Sequence, residues 1–83
     1  MFIRTALGDI DAGMLGRCDA HEHVIIDDVF IAEEYPDFVL DDVDVACVDV
    51  QEFVDAGGGG MVDTMPIGCG RDCVKMTEVS RRT

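Results

Sequence analysis

Between Asp41 and Ala56 the apolar residues Val43, Ala46, Cys47, Val50, Phe53 and Val54 recur at three- and four-residue steps, which predicts an amphipathic helix. Asp41 or Asp42 can cap its N-terminus, and acids in the first turn suit the helix dipole. Four glycines, Gly57 to Gly60, then end it. Neither GxGxxG nor a GK[ST] sequence can be laid over them, so a helix stop with close helix-to-strand packing is expected rather than a phosphate loop.

Phe2 to Ile10 alternates loosely and contains Gly8-Asp9, predicting a short hairpin or extended arm. Leu15 to Ile26 predicts a first buried strand and its exit. Asp27 to Leu40 contains Tyr35-Pro36-Asp37 and predicts a loop, with room for a helical turn. Met61 to Thr64 predicts a short second strand, and Pro66 and Gly68 mark the loop beyond it. Asp72 is a fair N-cap for a helix from Cys73 to Arg82, with Val74 and Val79 as buried positions and Glu78-Arg82 as an i,i+4 pair. The segments are an arm (1–14), first strand and loop (15–40), helix (41–56), and second strand with its helix (61–83). Strand, helix, strand, helix predicts an α/β fold built on a right-handed βαβ unit.

Charge narrows the function. Eighteen acidic against six basic residues leave a formal charge of -12, which repels phosphate backbones and anionic lipid surfaces. Neither nucleic acid nor membrane is an expected partner. The N-terminus lacks the apolar core of a signal peptide and no apolar run approaches about 18 residues, so a cytoplasmic location is expected. Cys18, Cys47, Cys69 and Cys73 then read as free thiols. Arginine outnumbers lysine five to one, and six acids with no base lie between Asp41 and Asp55. The plain reading is a solvated helix face; the sharper one is adaptation to high salt, where counterions screen self-repulsion.

The candidate chemistry lies in His21-Glu22-His23, the only two histidines of the chain, followed by Val24-Ile25-Ile26. On a strand, residues two apart project to one side, so both imidazoles can converge on one ion. Taken alone, HxH is short enough to arise by chance, and ordinary hydrogen-bonded histidines are the commoner outcome. Zinc takes three protein ligands in a catalytic site and four in a structural one, so two histidines need donors from elsewhere. A zinc module drawing on Cys69 and Cys73 needs a ligand pair from a distant strand. A calcium loop begun at Asp42 would place Cys47 where glycine is needed and Phe53 where a bidentate glutamate is needed.

The order of landmarks carries more than the motif. It runs through Thr5-Ala6-Leu7-Gly8-Asp9-Ile10, Leu15-Gly16, Asp19-Ala20-His21-Glu22-His23, Ala56-Gly57-Gly58, Val62-Asp63-Thr64 and Gly70-Arg71-Asp72, ending in Val79-Ser80-Arg81-Arg82-Thr83. This series resembles the N-terminal part of the phosphotriesterase-like branch of the amidohydrolase superfamily. The resemblance implies the beginning of a (β/α)8 TIM barrel, incomplete here, since that fold needs about 250 residues and the chain has 83. The chain therefore reads as an N-terminal fragment of a longer protein.

The resemblance also implies His21 and His23 as metal ligands. They would bind the more buried of two divalent ions, usually zinc, in a binuclear centre whose metal-bound hydroxide hydrolyses esters such as phosphotriesters or lactones. The family's bridging lysine, further histidines and aspartate come from later strands, and Lys75 does not replace them. A small-molecule ester is the implied substrate, and homodimer formation is an expectation for the full-length protein. Asp19 and Asp63 are candidate partners for the second ring nitrogens, although a cap or structural hydrogen bond is the commoner role for each. Glu22 should face the helical layer, and Arg71-Asp72 should form a loop ion pair or a helix cap. The 83-residue chain alone is expected to be inactive. The alternative is a non-catalytic acidic interaction or metal-binding fragment, if the native chain ends at Thr83.

Overall fold

Phe2–Thr5 (β1) and Gly8–Asp11 (β2) pair antiparallel across the Ala6-Leu7 turn, with Gly8 at φ 125°. A positive φ costs glycine nothing, and the Thr5 hydroxyl closes the turn by donating to the Gly8 carbonyl at 2.6 Å. The computed structural model describes residues 1–83. After a 3-10 turn at Ala12–Met14, Cys18–Glu22 (β3) and Gly60–Asp63 (β4) form a parallel pair. Val43–Asp55 (α2) lies between them in sequence, and Cys73–Arg82 (α3) follows β4. This is an α/β fold with an open sheet, the start of a (β/α)8 barrel.

Local chemistry accounts for the helix limits. The Asp42 carboxylate accepts from the N–H groups of Asp44 (2.9 Å) and Val45 (3.2 Å), making it the N-cap of α2. At the other end Gly57 donates to the Val54 carbonyl and Gly58 to the Phe53 carbonyl, both at 2.9 Å. That is the paired Schellman arrangement, with Gly57 at φ 102°. Asp72 caps α3 by accepting from Lys75 N–H at 2.9 Å.

Four expectations are corrected. The first barrel strand is short, Cys18–Glu22, and only half-buried, because β4 is its sole strand neighbour in this chain. The segment from Asp27 to Leu40 is more ordered than a loop. Asp28 caps a helix at Val29–Glu34 (α1) through the N–H groups of Phe30 and Ile31, and Pro36–Phe38 adds a 3-10 turn. Two reciprocal backbone bonds of 3.0 Å between Ile26 and Leu40 close the base of this segment. Val79 is buried at 2 % exposure, but Val74 is 81 % exposed, since α3 packs on α2 through the face that carries Val79. Finally, Glu78 pairs with Arg81 at 3.0 Å, while Arg82 reaches Asp44 on α2 at 2.9 Å.

The buried core is small, Ile25, Met65 and Val79, with Ile25 and Met65 just past the ends of β3 and β4 and Val79 on α3. Ile25 follows β3 and Met65 follows β4, so a buried residue lies just beyond each of His23 and Thr64 in the chain. No helix is long and apolar enough to cross a membrane.

Candidate metal centre

His21 is the fourth residue of β3, and His23 lies one step past its end, on the C-terminal side where barrel enzymes assemble their sites. Their ring centroids are 5.3 Å apart with planes at 69°. Two imidazoles each bound through one nitrogen to a tetrahedral zinc, at about 2.0–2.1 Å, have centroids about 5 Å apart. The centroid separation of the pair matches that spacing. His21 is exposed and His23 half-buried, and His23 Nδ1 is buried with no hydrogen-bond partner.

The backbone around the pair is held by neighbouring acids. Asp19 Oδ1 accepts from His21 N–H at 3.2 Å, and Glu22 Oε1 accepts from His23 N–H at 2.9 Å. These bonds satisfy main-chain donors at the end of a strand with one neighbour. The register passes from Asp19↔Met61 to Glu22↔Asp63, so β3 spends three steps where β4 spends two. Strict alternation is broken by that bulge, and Asp19 cannot be assigned to the histidines' side by counting in twos. It serves as a backbone acceptor. Glu22 lines a recess of about 400 Å³ between the end of β3, the Val39–Asp42 segment and α2, together with Asp19, His23 and Asp49.

Asp63 is also committed locally. Its Oδ1 accepts from Met65 N–H at 2.8 Å and lies 3.4 Å from Arg71 Nε, while Arg71 also donates to the Met65 carbonyl. Its Oδ2 is buried without a partner. Arg71 and Asp72 are thus an ion pair and a helix cap, as their position at a helix start predicts. Neither Asp19 nor Asp63 hydrogen-bonds an imidazole. Lys75 is committed to Asp27, 2.6 Å away, and to the Asp41 carbonyl. Cys18, Cys47, Cys69 and Cys73 are free. No group of three or more His, Cys, Asp or Glu side chains in the chain is arranged to hold a metal.

One residue at this end of the sheet, Thr64, has no role legible in the sequence beyond its place in the Val62-Asp63-Thr64 landmark. Thr64 N–H donates to the Glu22 carbonyl at 3.1 Å, which puts Thr64 beside His23, one step beyond the Glu22↔Asp63 pair. Its hydroxyl is buried with no partner. Only the parallel register could have found it.

The whole chain, residues 1–83, matches the model of the phosphotriesterase family. It is 42% identical over 79 residues to a phospho-furanose lactonase from Mycoplasmopsis agalactiae, covering 95% of this chain and 22% of that protein. Among solved structures, it is similar to an amidohydrolase from Mycoplasma synoviae, with a TM-score of 0.87 at 38% identity over 98% of this chain and 23% of the other. A lactonase from Listeria monocytogenes gives a TM-score of 0.90 at 36% identity, over 100% of this chain and 26% of that one. The chain thus spans about a quarter of the length of the relatives it matches. With an open βαβα unit, two apposed histidines at its strand end and a family match along its full length, this chain belongs to the phosphotriesterase family of hydrolases.

Proposed function

We propose that this chain supplies His21 and His23 as two ligands of a binuclear zinc centre in a cytoplasmic hydrolase that acts on a small-molecule ester. The observation that carries the reading is the 5.3 Å apposition of the two imidazoles at the C-terminal end of a parallel strand. Divalent metal bound there supplies Lewis-acid polarisation of the scissile carbonyl or phosphoryl oxygen and a water acidified toward neutral pH.

The chain's own residues prepare that site. Neutral imidazoles offer a ring nitrogen as donor, so His21 and His23 bind metal and do not act as bases. Asp19 and Glu22 hold the main chain on either side of His21, which limits how far the two rings can separate. Arg71 braces the start of the loop after β4 by pairing with Asp63 and bonding the Met65 carbonyl. The 42% identity to a phospho-furanose lactonase favours a lactone over a phosphotriester as substrate. Fold alone does not choose between them.

The test is metal analysis and lactone hydrolysis by the full-length native protein and its His21→Asn and His23→Asn variants. The expected result is bound metal, with activity lost to a chelator and restored by zinc, and neither metal nor activity in the variants. Chelator-insensitive hydrolysis, or full metal content in both variants, would overturn the reading.

A further inference from the structure

Two of the three buried side-chain atoms left without partners, His23 Nδ1 and Thr64 Oγ1, belong to residues that the backbone bond from Thr64 N–H to the Glu22 carbonyl sets next to each other at the same end of the sheet. A buried polar atom without a partner keeps its full desolvation penalty, so two neighbouring residues in that condition point to a contact that the working protein makes. Their chemistry is complementary. A neutral imidazole that offers Nε2 to a metal carries its proton on Nδ1 and needs an acceptor there, and a threonine hydroxyl accepts through two lone pairs.

We infer that Thr64 is the positioning residue of the metal centre, its hydroxyl accepting the Nδ1–H of His23 and so fixing the tautomer that presents Nε2. The inference rests on the metal reading above. Three observations favour Thr64 over the nearby carboxylates. Parallel register places it next to His23, whereas Asp63 is the partner of Glu22. Asp63 Oδ1 is engaged by Met65 N–H and Arg71 and Asp19 Oδ1 by His21 N–H, and the unpartnered Asp63 Oδ2 belongs to the residue paired with Glu22, which alternates to the other side of the strand from Thr64. Thr64 is also held in place from both sides, by its own N–H bonded to the Glu22 carbonyl and by buried Met65 next to it in the chain. A direct bond or one bridging water would make the link.

The experiment compares the full-length native protein with Thr64→Val, which keeps the shape and removes the hydroxyl, Thr64→Ser, which restores it, and Asp63→Asn. Two readouts are taken: zinc affinity by competition with a chelator, and the His23 tautomer from nitrogen-15 shifts of the imidazole. Loss of an outer partner typically weakens metal binding about 10- to 100-fold, so Thr64→Val should fall in that range with a mixed His23 tautomer, and Thr64→Ser should recover both. Unchanged affinity and tautomer in Thr64→Val would overturn the inference, as would a tautomer shift confined to Asp63→Asn. His21→Asn separates the two layers. If it loses zinc while Thr64→Val does not, the metal reading stands and the Thr64 role falls; if the native protein binds no zinc, the metal reading itself fails.

Discussion

Lys75 Nζ lies 2.6 Å from Asp27 Oδ2 and 3.0 Å from the carbonyl of Asp41, so the only lysine of the chain ties α3 to both ends of the segment that follows the first barrel strand. Asp27 N–H also bonds the Gly70 carbonyl at 2.8 Å, which joins the loops after β3 and β4 beside the candidate site. A lysine that makes these contacts is a brace for the site's rim and not a ligand.

This brace has a pH signature. The hydrogen bond that Lys75 donates to Asp27, opposed by desolvation and helped by the surrounding acids, holds the Lys75 ammonium above its ordinary value near 10.5. A group raised in the folded state contributes stability that is complete below its unfolded value and fades as pH climbs through the folded one. Thermal melts of the full-length protein should therefore lose stability above about pH 10. The loss should be smaller in Lys75→Met, which is already less stable at neutral pH. Parallel curves for the two proteins across that range would mean that the ion pair contributes nothing.

Gly59 offers a test of the helix-to-strand packing. Its N–H donates to the Arg17 carbonyl at 2.7 Å, and a methyl group there would press on the carbonyl of Leu15 and on the backbone of Gly16. Backbone cannot swing aside as a side chain can. Gly59→Ala should destabilise by about 1–3 kcal/mol, read as a lower denaturant midpoint at unchanged slope. A midpoint equal to that of the parent would show that the two segments are not in close contact in solution.

The acidity should also be visible in solution. With a formal charge of -12 and few bases to pair, self-repulsion is screened as salt is added. The melting temperature of the full-length protein should rise across a salt series from about 0.1 M to 1 M, a range over which the screening length falls from roughly 10 to 3 Å. A flat or falling series would reject adaptation to salt and leave the acids as an ordinary solvated surface.

Where the sequence failed, the missing information was long-range. The Asp27–Leu40 stretch reads as loop because Tyr35-Pro36 interrupts it, yet Asp28 caps six helical residues before the proline is reached. Val74 and Val79 look equally buried by composition. Which one is covered depends on the face α3 turns toward α2, and Val79 is the one enclosed. Arg82 could bond Glu78 within its own helix, but Asp44 on α2 lies closer to hand once the helices pack.

What the sequence determined by itself was the part written in short-range chemistry. The apolar stripe of α2, its Asp42 cap, its Gly57 stop, the Asp72 cap of α3 and the spacing of His21 and His23 are all relations across a few residues, set by backbone geometry. The tertiary structure alone decided how β3 meets β4. A bulge between Asp19 and Glu22 shifts the register, and that shift puts Thr64 beside His23 and leaves both with a buried polar atom to satisfy. Parallel strands joined by a helix exchange hydrogen bonds across some forty residues of chain, here Glu22 with Thr64, so their alignment is fixed by packing against α2 and α3 and by no local pattern.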